Sequence, residues 1–518
     1  MKKSIIALGL GLSLGSVVFN SSCSLDEPPQ NQVTKENAFK TEKDLNSITT
    51  SIHVITNMRI KEDGLQTILT AGEIMDDVDA SDVRAWNPRS VINSEPDWKN
   101  LYDIIFTAHF LLDNIHKTQG LSEERLNYHR GQALFSLGFT YLAIVQRYGD
   151  AILLENSERL SAYGLTPQLD VLNKAIEYAQ EAYNILPTQG NLKDLNGATL
   201  TNKQFATKGS AAALLSELYA WKGSVIDNYK LTLESSKTAY EASIKYATEV
   251  ISGKVGSYKL NDTPEALCLK LSDAEADDAE TIFSLAFDRL RDVGTITPSP
   301  AQYYVTWPVD RTKVLGDIVH APFRIYAQSI KNLYTDAADQ RPQAFFYKYD
   351  EAHTVGGQDY AVMYKWRKGI FIADAYSEAG EYMSSVNTNF TYWRLAEMYL
   401  LRAECYNKIG QTANAIQDLN VIRQRAGANA YPYNGESDLK KAIFQEQEKE
   451  FIGEGSRYWS VIRNGYWKTE LGGRFRTLTD AEVRGGALHL PLPKSASKSN
   501  GITVNTLVRQ SQYWSNYN

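Results

Sequence analysis

Apolar residues recur every three or four positions along much of this chain. Between residues 391 and 409, Leu395, Met398, Tyr399, Cys405 and Tyr406 form one stripe, with Arg394, Glu397 and Glu404 beside it. That period is helical, because residues three and four apart share a helix face. The same pattern predicts helices over 45–58, 98–118, 123–148, 170–186, 205–222, 235–251, 412–425 and 437–452. Two stretches depart from it. Residues 253–390 and 465–518 are rich in Gly, Pro, Asp and aromatics, with β-like runs at 280–287 and 361–366. Long irregular segments on a rigid frame are where function concentrates.

The helices come in pairs. Tyr406, Gly410, Ala415 and Leu419 are spaced four, five and four apart. This puts an aromatic on a first helix, a small residue at the turn, and another where the second helix packs close. Tyr219 and Gly223 repeat the first step, and Ala242 and Tyr246 the last, after an insertion. Ala175, Ala182 and Pro187 supply a third copy of the second helix. A tetratricopeptide repeat has this order, and its units stack into a curved support with a continuous core. The expected fold is therefore mostly α: a tetratricopeptide-like helical-repeat scaffold with long irregular loops and a few short strands.

The N-terminus changes the picture of where such a scaffold works. Lys2 and Lys3 precede an apolar stretch from Ile5 to Phe19, and Ser21 and Ser22 lead into Cys23. The stretch is too short to span a bilayer and reads as an export signal over 1–22. A Cys after small residues is the lipidation site of a bacterial lipoprotein, although Asn20 stands where a small aliphatic residue, often Leu, is usual. Residues 23–33 include Pro28 and Pro29 and read as an extended tether. Beyond it only Cys268 and Cys405 remain, which is no disulfide framework. Hydrophobic residues at 43% and charged residues at 22% fit a globular domain, and the net charge of −7 excludes a nucleic-acid partner, which needs a basic face.

A set of longer motifs gives a family resemblance. Arg394-Leu395-Ala396-Glu397, Leu400 and Ala403-Glu404 are followed by Leu419-Asn420-Val421-Ile422-Arg423-Gln424-Arg425-Ala426-Gly427. Then come Glu446, Glu450, Gly453-Glu454-Gly455, Arg457, Trp459, Arg463 and Gly465, and later Pro491-Leu492-Pro493 with a diverged tail over 505–510. Upstream, Ala38-Phe39, Trp98, Leu101-Tyr102, Asn114-Ile115 and Tyr148-Gly149-Asp150 also fit, with Ala151 where the family has Pro. In these residues the chain resembles the SusD/RagB family, surface lipoproteins of Bacteroidetes nutrient-uptake systems. The resemblance spans the mature chain. It implies a helical region over 34–252, a loop-rich insertion over 253–390 that contributes to the ligand face, and a C-terminal region over 391–518. It also implies an oligosaccharide ligand, an outer-membrane location through the lipid, and a SusC-like TonB-dependent transporter over which the protein acts as a lid. Some members handle peptides or glycopeptides instead.

Little in the sequence suggests bond-breaking chemistry. None of the seven His has metal-ligand spacing, and no nucleophile elbow or phosphate-binding Gly loop is present. His109 and His116 are expected to be packed or solvated. The acidic run Asp76-Asp77-Val78-Asp79-Ala80-Ser81-Asp82 begins like a calcium loop but has Asp82 at the Gly position and Pro88 in place of the last Glu. No cofactor, metal or catalytic residue is expected, and a surface glycoside hydrolase is the weaker alternative. The motif charges Glu397, Glu404, Arg423, Arg425, Glu450, Glu454 and Arg457 are expected to pair with one another, because unpaired buried charge is costly. Sugars bind against aromatic rings in loops, flanked by groups that read hydroxyls. Two clusters qualify: Arg84, Trp86 and Asn87, and Tyr303, Tyr304 and Trp307. Trp366 is expected in the core.

Overall fold

The computed structural model describes residues 39–157, 163–232, 234–287, 299–304, 321–373, 380–499, 502–503 and 505–517. Cys23 and Trp307 lie outside the described residues. α1 (Glu42–Arg59) opens on a reciprocal cap in which Thr41 Oγ1 accepts from Asp44 N and Asp44 accepts from Thr41 N. It is followed by α2 (Leu65–Gly72), α3 (Ser81–Arg84), α4 (Pro88–Asn93) and α5 (Lys99–Asn114). The frame continues through α6 (Glu123–Tyr148), α7 (Gln168–Ile185), α8 (Lys208–Tyr229) and α9 (Ser236–Ile251). After α10 (Pro264–Leu271), α11 (Ala327–Leu333) and α12 (Arg341–Phe345) it resumes in α13 (Leu395–Lys408), α14 (Thr412–Arg425), α15 (Leu439–Phe451) and α16 (Arg457–Asn464).

The repeat spacing is realised in how these helices touch. α6 packs on α7, α7 on α8, α8 on α9, α9 on α13, and α13 on α14 and α15. Such neighbour-on-neighbour stacking gives a solenoid its core. Close approach needs small residues at the crossings. A Cβ on Gly223 would lie 2.5 Å from the Tyr240 ring, and one on Gly138 would lie 3.0 Å from the Ala175 carbonyl oxygen. Ala415 and Leu419 are buried at the α13–α14 contact. α8 runs on past the expected end at residue 222, because Gly223 serves that crossing and does not break the helix. Among the described residues no helix is long and apolar enough to cross a membrane.

The strands are short: β1 (Asp77–Val78), β2 (Thr281–Leu285), β3 (Phe323–Tyr326), β4 (Thr354–Val355), β5 (Gln358–Ala361), β6 (Gly369–Ala373), β7 (Glu381–Val386) and β8 (Phe390–Arg394). The helix expected from residue 391 starts only at Leu395, since Thr391–Arg394 pairs antiparallel with β2 and sets Arg394 opposite Thr281. The run 361–366 is not one strand. Ala361 ends β5, and Trp366 is buried in the core, as expected. One antiparallel sheet has the order β1-β3-β5-β4 and joins the insertion to the N-terminal region. The acidic run supplies the join. Arg324, opposite Asp77, pairs with Asp77 at 2.8 Å and Asp79 at 2.9 Å, while Asp76 accepts from Tyr326 N at 2.7 Å and Ser329 Oγ at 2.8 Å. These carboxylates dock a strand.

The motif charges form a buried network between the insertion and the C-terminal helices. Arg394 donates to Glu280 at 2.7 Å, Glu450 at 2.6 Å and Glu454 at 2.9 Å. Arg341 meets Asp339, Glu446 and Glu450, Arg425 meets Glu280 and Glu450, and Arg423 meets Glu446 and Glu436. The Lys365 ammonium pairs with Glu454 and donates to the Glu450 carbonyl at 2.9 Å. Burial pushes the Glu450 carboxyl up, but the charges of Arg425, Arg394 and Arg341 outweigh it and hold the group well below the usual carboxylate range. Glu404 pairs with Arg463 at 3.1 Å and Arg457 with Glu448 at 2.6 Å. Glu397 differs: burial, with the neighbouring Glu217, pushes its carboxyl up to about 8.

Candidate ligand-binding site

A cleft of about 460–690 Å³ is the size that holds a small ligand, and the described residues line several on this surface. One of about 510 Å³ lies where the N-terminal region meets the insertion. Its lining includes Thr67 and Thr70 of α2, Val83 of α3 and Ala80 just before that helix. One wall is the pair of turns 61–64 and 94–97, with Asn100 behind, and Tyr303 reaches in from the insertion.

The turns are fixed by a motif far away in sequence. The Tyr148 hydroxyl lies 3.0 Å from the Asp63 carbonyl oxygen and 2.5 Å from that of Asp97, its one proton shared between two acceptors. Arg147 donates to the Ile60 carbonyl at 2.7 Å. Gly64 takes φ +84, and a Cβ there would stand 2.4 Å from Leu490 Cδ1 and 3.0 Å from Tyr148 Oη. The Asp63 carboxylate accepts from Leu101 N at 2.8 Å and Asn100 Nδ2 at 2.9 Å, capping the start of α5. Burial pushes it up to about 6 against the pull of those hydrogen bonds and of Arg147. Asp63 and Glu95, both lining the cleft, adopt positive φ, at +53 and +48. Left-handed non-glycine residues store backbone strain and gather at functional sites, which distinguishes this cleft from the other concavities.

Of the described residues in the two sequence clusters, Tyr303 alone lines this cleft. Trp86 offers no ring face to a ligand. Its side chain is fully buried among Tyr458, Phe475 and Trp514, and Nε1 donates to the Ala487 carbonyl at 2.9 Å. The positive φ at Trp86 turns the ring inward, a conformation that residue type did not signal. Arg84 donates to the carbonyls of Thr70 at 3.3 Å, Glu73 at 3.1 Å and Met75 at 2.5 Å, closing the C-terminal end of α2. Asn87 is exposed and caps α4 by accepting from Arg89 N at 3.1 Å.

Tyr304 is buried, its hydroxyl 3.2 Å from Glu73 Oε2 and 3.1 Å from the Ile74 carbonyl. Burial pushes Glu73 up to about 7. Tyr303 is half-buried, stacks on Phe323 at 4.9 Å and lines the cleft. Tyr303 is the one described residue of the expected aromatics whose side chain lines the cleft, whereas Trp86 and Tyr304 are buried. Lys61, Glu62, Asp63, Glu95, Asp97 and Asn100 also line the cleft and carry no sequence pattern of their own. The one available signal was indirect, in Trp98, Leu101-Tyr102 and Tyr148-Gly149-Asp150, which hold them. Elsewhere, His109 packs edge-on against Tyr178 while His116 is exposed, so the two do not converge.

Comparison with known proteins bears on this arrangement. A family described as "SusD family" matches residues 316–500, and one described as "Starch-binding associating with outer membrane" matches residues 24–220. The second contains most of the cleft. SusD-like protein P25 of Formosa agariphila is 22% identical over 447 residues, covering 79% of this chain and 77% of the relative. SusD-like protein P38 of the same organism is 33% identical over 86 residues, 15% of this chain. In three dimensions the chain is similar to a SusD homologue from Bacteroides thetaiotaomicron, with TM-score 0.73 at 19% identity, covering 92% of this chain and 99% of that one. A SusD superfamily protein from Bacteroides fragilis gives 0.65 at 18%, with 92% and 99% covered. These structural likenesses establish the helical fold.

Proposed function

The chain belongs to the SusD/RagB family, and from that premise we propose that it is a cell-surface lipoprotein that captures an oligosaccharide and passes it to a SusC-like TonB-dependent transporter in the outer membrane, acting as its lid. The observation that carries this reading is the cleft beside Tyr303. It puts an aromatic ring next to hydroxyl, amide and carboxylate groups on a rigid frame, the combination that stacks on a sugar and reads its hydroxyls. It also lies largely in the stretch that matches the starch-binding description. Tyr303 is the proposed ring contact, with Trp307 beyond the described residues as its partner, while Arg84, Trp86 and Tyr304 hold the walls. A lipid on Cys23 and the tether over 23–33 keep the protein on the membrane beside the transporter. Ligand is held and released without a bond being broken.

The test is titration of the purified protein with a panel of oligosaccharides and peptides. Saturable glycan binding with no new reducing ends, weakened about tenfold by Tyr303→Ala, is the expected result. Reducing ends accumulating would make the protein a hydrolase and overturn the reading. Binding confined to peptides would move it to the peptide-handling part of the family.

A further inference from the structure

The charges around the cleft select among glycans. We infer that the site takes oligosaccharides free of carboxylate and sulfate groups and rejects their anionic counterparts. The inference rests on the glycan-binding reading and deepens it.

Among the described residues, four carboxylates line the cleft, from Glu62, Asp63, Glu95 and Asp97, against one lining cation, Lys61. What matters is whether their charge is already cancelled. Asp97 accepts from Trp98 N at 2.7 Å, Lys99 N at 2.9 Å and Ser495 Oγ at 2.7 Å, all neutral donors. The donors to Asp63, Asn100 Nδ2 and Leu101 N, are neutral too. Glu95 is exposed. Glu62 pairs with Arg59 at 3.1 Å, but that is an exposed pair on neighbouring turns, where charge is weakly compensated. Of the other described arginines nearby, Arg84 directs its guanidinium to the carbonyls of Thr70, Glu73 and Met75, and Arg147, hydrogen-bonded to the Ile60 carbonyl, acts on Asp63 only through space.

The lining therefore keeps a net negative field while offering sugar hydroxyls several acceptors. A neutral glycan donates into those acceptors. A uronate or sulfate ester brings like charge against four carboxylates and gives up hydration with Lys61 as the single lining cation among the described residues. Tyr148 and Gly64 tie down the backbone of the walls that carry these carboxylates.

The experiment uses oligosaccharides that bind the intact protein, each tested beside its own C6-oxidised uronate, which keeps length and stereochemistry and adds only charge. The neutral member is expected to bind about tenfold or more tightly at low salt, with the gap closing as ionic strength rises. In the Glu62→Gln/Glu95→Gln double variant, both positions being exposed, the gap is expected to shrink severalfold. Equal or tighter binding of the uronate overturns the inference and leaves glycan capture standing. A gap that the double variant leaves unchanged overturns it too, because the lining charge would then not be its source. Failure of every glycan to bind removes the reading beneath it as well.

Discussion

The hydroxyl of Tyr148 stands 3.0 Å from the carbonyl oxygen of Asp63, and that contact holds one wall of the cleft to the helical frame. Tyr148 closes α6, the longest described helix, so a backbone turn at the cleft inherits the rigidity of the scaffold. Tyr148→Phe removes the donor and leaves two buried carbonyl oxygens short of a partner. The expected cost is about 1–3 kcal/mol of unfolding free energy, read by urea denaturation, with a further loss of glycan affinity in the folded protein. Unchanged affinity would detach the wall from ligand binding.

Trp86→Ala and Tyr303→Ala separate support from contact. The first empties a fully buried site and is expected to cost about 3–5 kcal/mol, a cavity-sized loss seen as a lowered denaturation midpoint. The second removes a half-buried ring and is expected to lower affinity with little change in that midpoint. The reverse pattern would exchange their roles.

Arg394→Ala leaves Glu280, Glu450 and Glu454 sharing too little positive charge in a buried place. Destabilisation of about 3–5 kcal/mol is expected, because breaking a buried pair strands its partner. Circular dichroism during denaturation would show it. A variant as stable as the parent would mean that water or repacking compensates.

Gly223→Ala tests the repeat crossing. The added methyl would meet the Tyr240 ring at 2.5 Å, and overpacking of this kind costs about 1–3 kcal/mol. The thermal midpoint is expected to fall by several degrees, without any effect specific to ligand.

Asp63 adds a pH dependence of known sign. Its pKa rises from 3.8 unfolded to about 6 folded, so the unfolded chain gives up its proton first as pH rises. Stability attributable to this group is fully present below about pH 4 and is lost as pH climbs to 6, roughly 3 kcal/mol in all. The difference in unfolding free energy between the parent and Asp63→Asn is expected to decline across that window and level off above it. A flat difference would mean that Asp63 ionises normally in the fold.

Much of the frame was legible in the sequence because stacking helices demands a repeated apolar stripe and small residues at fixed steps. Gly223, Ala415 and the α6–α9 series carried that demand openly. The paired motif charges were legible for a related reason, since carboxylates and guanidiniums set on apolar helices have to find each other. The cleft was less so. Its lining comes from turns, where no period operates, and its shape depends on contacts such as Arg147 to Ile60. Trp86 shows the limit most clearly. Its neighbours in sequence are polar and loop-like, yet the residues that bury it, Phe475, Ala487 and Trp514, come from the other end of the chain.

That long-range closure has a consequence for biogenesis. The indole of Trp86 hydrogen-bonds a carbonyl 401 positions later, and Gly64 sits against Leu490. A nascent chain thus has its helical repeats before the contacts that close the cleft, and a chain truncated ahead of residue 487 lacks those contacts. Closure of the cleft is thereby tied to the last thirty or so residues of the chain, and a chain ending before them would keep repeat helices without the contacts that finish its walls.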